Sequence, residues 1–161
     1  MKTVIVEPVA IADKSVLRNL ISLYLHDFSG MVPIPISDSG LFEYSYLDHY
    51  WTDSNRHAYF IKADGQLAGF VMIRSGDDIS TAHLISEFFV LRGYRRQGIG
   101  KAAAHLAFCM FAGQWRVHEF AENTAAQAFW KSTINEYTNG QFVEEWSAQE
   151  NRLVQTFVSP E

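Results

Sequence analysis

Glu87-Phe88-Phe89-Val90-Leu91-Arg92-Gly93-Tyr94-Arg95-Arg96-Gln97-Gly98-Ile99-Gly100 decides how the rest of this chain is read. An apolar strand ends in a short basic turn, and two glycines then open a helix. Ile99, Ala102, Ala103, Leu106, Ala107, Met110 and Phe111 recur at helical spacing, which predicts one buried stripe. Gly113 stands just past the predicted end, where a residue of positive φ is wanted. The N-terminus of such a helix carries unpaired N–H groups and the positive end of its dipole. Gly98 and Gly100 lack a Cβ, so an anion can approach the main chain, and Arg95 and Arg96 add full charges beside it. The physical expectation is a cradle for a diphosphate.

Composition sets the bounds around that cradle. The 161 residues are enough for one domain, 1–161, with a proper core, and 48% hydrophobic with 14% aromatic residues describes a folded chain. Thirteen basic against eighteen acidic residues give −5, which argues against a nucleic-acid partner. One cysteine, Cys109, forms no internal disulfide, is expected to pack within its helix, and fits a reducing cytoplasm. The apolar run at 4–6 stops at Glu7, too short for a signal segment, and the run at 102–112 is broken by His105, short of a membrane span.

Outward from the centre, residues 3–8 read as an opening strand. Asp13 or Ser15 then caps a helix whose buried side carries Val16, Leu17, Leu20, Ile21, Tyr24 and Leu25. The stretch 29–40 is a loop holding Gly30, Pro33, Pro35 and Gly40, and Tyr44, Leu47, Tyr50 and Trp51 suggest a short second helix. Strands at 57–62 and 67–74 join across Asp64-Gly65, a hairpin signal. A turn at 75–78 leads to a long strand at 81–91. After the central helix come a strand at 116–121, a helix at 124–134, a turn at Thr138-Asn139-Gly140, and strands at 141–146 and 152–158. The fold class is α+β, one mixed, mostly antiparallel sheet of about seven strands with helices on both faces.

Three anions compete for the cradle. A P-loop fails, because Ile99 stands where its lysine belongs. Gly98-x-Gly100-x-x-Ala103, with Glu119 or Glu122 about 20 residues further on, fits a permissive dinucleotide fingerprint. The preceding hairpins, however, do not suit a doubly wound sheet. Coenzyme A is the third. Arg95-x-x-Gly98-x-Gly100 after a strand resembles the acetyl-CoA signature of the GNAT superfamily of N-acetyltransferases. Asn123-Thr124-Ala125-Ala126-Gln127-Ala128-Phe129-Trp130 resembles that family's Asn-x-x-Ala-x-x-Phe-Tyr block. The two motifs and the order of elements cover nearly the whole chain.

The resemblance implies an acetyl-CoA-dependent transfer to a primary amine of a small molecule or peptide, by direct attack in a ternary complex. It implies that Arg95, Arg96, Gln97, Gly98, Ile99, Gly100 and Lys101 hold the CoA pyrophosphate. Phe89 and Val90 would run beside the pantetheine arm, with Asn123 and Trp130 on its far side. Glu87, on the strand where the family often places its base, is the candidate base. Burial beside Phe88 and Phe89 would raise its pKa usefully. A main-chain N–H near Val90 would meet the oxyanion. Trp130 occupies the place of the family's tyrosine acid, and an indole N–H is not given up at neutral pH. Tyr137 or Tyr94 would stand in, or the thiolate would leave unassisted. The first helices form one wall of the acceptor site, with Tyr24 and Tyr50 as its substrate-binding residues. No His/Cys spacing points to a metal. Family members often pair as homodimers. A second reading keeps CoA binding without catalysis, as a sensing module.

Overall fold

The computed structural model describes residues 1–76 and 80–161, so part of the turn expected at 75–78 lies outside the described residues. Seven strands form a single sheet in the order β1-β2-β3-β4-β5-β7-β6. They are β1 (Val4–Pro8), β2 (Arg56–Ala63), β3 (Gln66–Arg74), β4 (His83–Val90), β5 (Gly113–Phe120), β6 (Val143–Ser147) and β7 (Arg152–Ser159). Every neighbouring pair is antiparallel except β4 and β5. The turn between β2 and β3 places Asp64 at φ +50° and Gly65 at +79°, the two left-handed residues that a tight hairpin needs.

Helices cover both faces. One face carries α1 (Lys14–Phe28) and the single turn α2 (His49–Thr52), over a core that includes Leu17, Ile21, Tyr50, Phe60, Phe70, Met72 and Phe89. The other carries α3 (Ile99–Met110) and α4 (Thr124–Thr138), over Ile61, Val71, Ile73, Ile85, Phe108, Trp115, Val117, Trp130 and Phe157. Strand β3 shows the alternation, with Val71 and Ile73 in one core and Phe70 and Met72 in the other.

Several local expectations change. The stripe of α3 is rotated: Ala104 and Phe108 are buried, whereas Leu106 and Met110 lie 40% and 38% exposed beside the edge strand β1. The helix packs on the sheet through Ile99, Ala103, Ala104, Ala107 and Phe108, which leaves Leu106 and Met110 turned outward. Cys109 is exposed there too, contrary to the packed position expected of it. Helix α3 stops at Met110, so Gly113, at φ +115°, begins β5 rather than ending the helix. Asp13 sits at the N-cap of α1 but makes no side-chain capping bond. Tyr44 and Leu47 precede α2 rather than belonging to it.

Candidate active site

Strands β4 and β5 pair only at His83↔Trp115 and Leu84↔Arg116, and then diverge. The gap opens into a cleft of about 360 Å³. Its walls are residues 85–88 of β4, 117–120 of β5, Tyr24 and Phe28 of α1, and Asn123, Ala126 and Trp130 of α4. Leu91 donates its N–H to Ala68 O at 2.8 Å, on the β3 side. By strand alternation, the amides of Phe88 and Val90 therefore face away from β3, into the gap, whereas Phe89, expected with Val90 beside the pantetheine, pairs toward β3 and buries its ring in the α1/α2 core.

A bulge aims the side chains. Met72 pairs with Glu87 but Ile73 pairs with Ile85, so Ser86 is an extra residue in β4. Ile85 therefore joins the α3/α4 core, while Glu87, only two positions on, turns to the α1/α2 side beside Met72. Further along the same pair of strands, Gly69 lets the backbones come close, since a Cβ there would stand 1.9 Å from Phe89 O.

Glu87 is mostly buried and accepts a hydrogen bond from the Tyr24 hydroxyl. Burial raises its pKa above the ordinary range, and the hydroxyls of Tyr24 and Tyr44 pull it part of the way back. Tyr24 is locked by edge-on packing against Phe70, with ring centroids 5.6 Å apart. Its own pKa is raised well above the usual value by burial and by the Glu87 charge.

Beyond the end of β4 and outside the residues that line the cleft, α3 begins at Gly98, in the left-handed region at φ +77°, with no side chain capping the helix. Its ladder starts with Ala102 N–H on Gly98 O, leaving the N–H groups of Ile99, Gly100 and Lys101 outside it. A Cβ on Gly98 would meet nothing, whereas one on Gly100 would meet the Phe129 ring at 3.2 Å. Only the first glycine opens the backbone to an anion; the second lets α4 pack against α3. Arg96 is exposed, and Lys101 pairs with Glu136 at 2.6 Å.

Arg95 plays a different part. Its N–H is bound to Arg92 O, its Nε donates to Val90 O at 2.8 Å, and its Nη2 donates to Asp27 at 2.7 Å. Arg92 donates to the same carboxylate. Burial would raise the Asp27 pKa, but the two arginines outweigh it and hold it low. The basic turn is thus tied to the C-terminal end of α1.

Asn123 caps α4, accepting from Ala126 N–H at 3.1 Å, and also lines the cleft. Trp130 is buried edge-on to Phe88, with centroids 4.9 Å apart, and lines it too. Tyr137 does not: its hydroxyl lies 2.7 Å from Ser159 Oγ and 3.5 Å from Cys109 Sγ, beside Phe108. Tyr94 also stands outside the lining. Tyr50 is 5% exposed core packing and Tyr24 alone of the two candidate substrate tyrosines reaches the cleft.

His118, Glu119 and Arg152 line the cleft without having been proposed for it. Burial, with Arg116 and Arg152 nearby, lowers the His118 pKa. Glu119 is 4% exposed, and burial pushes it up to about 7 against the hydrogen bond from Gln155. An acid at the third place of the buried alternation Trp115, Val117, Glu119 was the available signal. Among the described residues no group of His, Cys, Asp and Glu could hold a metal ion, and no helix is long and apolar enough to cross a membrane.

The Acetyltransferase (GNAT) family model matches residues 17–133, most of the chain. The chain belongs to the GNAT acetyltransferase family. Its fold is similar to that of an acetyltransferase from Thermus thermophilus, at TM-score 0.73 and 14% identity over 97% of each chain. Spermidine N-acetyltransferase from Vibrio cholerae, in complex with CoA and spermine, is also similar, at TM-score 0.67 and 12% identity over 97% of this chain and 95% of that one. So is a PaiA N-acetyltransferase from Thermoplasma acidophilum in complex with coenzyme A, at 0.64 and 12% over 97% and 99%. No curated protein matches the chain in sequence. Within the GNAT fold, the antiparallel run from β1 to β4 sets aside the doubly wound sheet that a dinucleotide fingerprint would require.

Proposed function

We propose that this chain is an acetyl-CoA-dependent N-acetyltransferase acting on a primary amine of a small molecule or peptide, by direct transfer in a ternary complex. The observation that carries the reading is the divergence of β4 from β5, with a desolvated carboxylate on one side and an uncapped helix N-terminus in the chain that follows β4. The residues suit acetyl-CoA. The amides of Ile99, Gly100 and Lys101, with Arg96, would hold the pyrophosphate. Phe88 and Val90 would pair with the pantetheine amides, and Asn123 would flank them. When bound, the co-substrate supplies an activated acetyl carbonyl on a thiol leaving group.

An alkyl ammonium with a pKa of about 10 must lose a proton before it can attack. Glu87 takes that proton, and its raised pKa brings it nearer that of its donor. Tyr24 holds the carboxylate in place. The Val90 N–H, fixed by the sheet, meets the negative charge that grows on the acetyl oxygen. The spermine complex of the Vibrio protein supports a small amine as acceptor. Incubating the protein with acetyl-CoA and an amine panel of polyamines, peptides and aminoglycosides, while following free thiol, tests the reading; no amine-dependent release across the panel refutes it.

One observation favours a second reading, a CoA-binding module without turnover. Trp130 lies in the cleft where a proton donor is wanted, and Tyr137 lies outside it. CoA binding by calorimetry with no thiol release, and no change in Glu87→Gln, would support that alternative.

A further inference from the structure

Departure of an alkyl thiolate, whose thiol has a pKa of roughly 8.5, is eased by a proton. Among the described residues lining the cleft, Tyr24, Glu87, His118 and Glu119 carry side-chain protons that could titrate. Tyr24 and Glu87 are joined to each other on the α1/α2 side. His118 alternates with the buried Val117 and Glu119, so it too faces the α1/α2 side. Burial and the neighbouring Arg116 and Arg152 disfavour its protonated form.

Glu119 alone shares the α3/α4 side, with Val117. The uncapped helix that would hold the nucleotide end is on that same side. Gln155 Nε2 fixes Glu119 Oε1 at 2.8 Å, while Glu119 Oε2 is buried and has no partner. We propose that Glu119 is the acid of the transfer, delivering the proton on Oε2 to the sulfur as the carbon–sulfur bond breaks. The proposal rests on the acetyltransferase reading above.

The step balances. Once the ammonium proton taken by Glu87 has passed to solvent, the neutral amine nitrogen bonds to the acetyl carbon, its second proton passes to Glu87, and the sulfur leaves with its bonding electrons and takes the proton of Glu119. Solvent then carries one proton from Glu87 to Glu119, so amine and thioester become amide and thiol. The groups facing Glu119 favour a proton there. Glu144 of β6 shares the Gln155 amide at 3.0 Å and adds negative charge, partly offset by Lys131 of α4 at 3.6 Å from Glu144. Arg152 of β7 lies over the Phe120 ring, and Glu87 stands across the gap on β4.

The test uses Glu119→Gln, which keeps a hydrogen-bonding partner for Gln155, with one amine from the panel above and the enzyme-free rate subtracted. Thiol release should fall on the order of 100-fold at low pH. The ratio of wild type to variant, in which the acceptor's ionisation cancels, should then shrink above about pH 7. Infrared spectra of the ligand-free protein should show a carboxylic-acid band that titrates in that region and is lost in the variant. Calorimetry should give a CoA affinity within about twofold of wild type. Gln155→Met removes the bond that lowers the Glu119 pKa, and should move both the band and the ratio to higher pH. A ratio independent of pH, an unchanged rate, or loss of CoA binding in Glu119→Gln would overturn the assignment. If the wild type releases no thiol while Glu119 titrates as stated, the acetyltransferase reading fails instead.

Discussion

Tyr24→Phe removes one hydroxyl and keeps the ring that packs on Phe70 and Phe89. The hydroxyl donates to Glu87, and a bond of this kind to an ionised group is worth about 1.5–3 kcal/mol. It favours the charged carboxylate, so its removal raises the Glu87 pKa further. The sign follows directly: a base of higher pKa is less ionised at any pH below it. The rate at low pH should fall roughly 10- to 100-fold, since about 1.4 kcal/mol is a factor of ten. At high pH, where Glu87 is ionised in both proteins, the two rates should converge. The assay is acetyl-CoA-dependent thiol release with one amine, plotted as the ratio of wild type to variant against pH. A ratio that stays flat, or a rising limb displaced to lower pH, would refute the role given to this pair.

Gly69→Ala places a Cβ 1.9 Å from Phe89 O and forces β3 from β4, so the variant should lose about 3 kcal/mol or more in a denaturant titration. An unchanged midpoint would show that the two strands do not depend on this close approach. Asn123→Ala deletes the cap of α4 and should cost about 1 kcal/mol, or roughly 3 °C in Tm, read by circular dichroism. Glu119, with its pKa raised to about 7, favours folding while protonated and loses that contribution as pH rises from its unfolded range through about 7. Relative to wild type, Glu119→Gln should therefore gain about 2 kcal/mol between acid and mildly alkaline pH, after allowance for screening. A gain that does not depend on pH would contradict the burial of an ionisable group there.

The turn from Arg92 to Gly100 could be read from residue order because its chemistry is local: three glycines, three arginines and a helix start. The same holds for the Asp64-Gly65 hairpin and for Asn123 as a cap. What could not be read is what depends on contacts across the sheet. Nothing in the run 85–88 marks Ser86 as extra, since the bulge arises where β3 and β4 fall out of step between Met72 and Ile73. Gly98 and Gly100 look alike in the chain, and only Phe129, about thirty residues later, separates their roles. Arg95 reads as a loose charge until Asp27 of α1 is placed beside it. Tyr137 and Tyr50 read as available hydroxyls, but their helices turn them into other packing. Glu119 reads as an acid at the ribose distance, although the buried alternation Trp115, Val117, Glu119 also marks it, because its meaning comes from Gln155 of β7 and Glu144 of β6.

The short junction of β4 with β5 makes the sheet two leaves sewn together by two residue pairs. Helices α3 and α4 bridge the leaves on one face and the Phe28 ring of α1 meets Phe120 of β5 on the other, and this seam is where heat or force should first part the molecule. Whatever fills the wedge then acts as a missing strand, supplying acceptors to amides that have no neighbour. A loaded chain should exchange deuterium at Phe88 and Val90 far more slowly than an empty one, and mechanical firmness would arrive with the co-substrate.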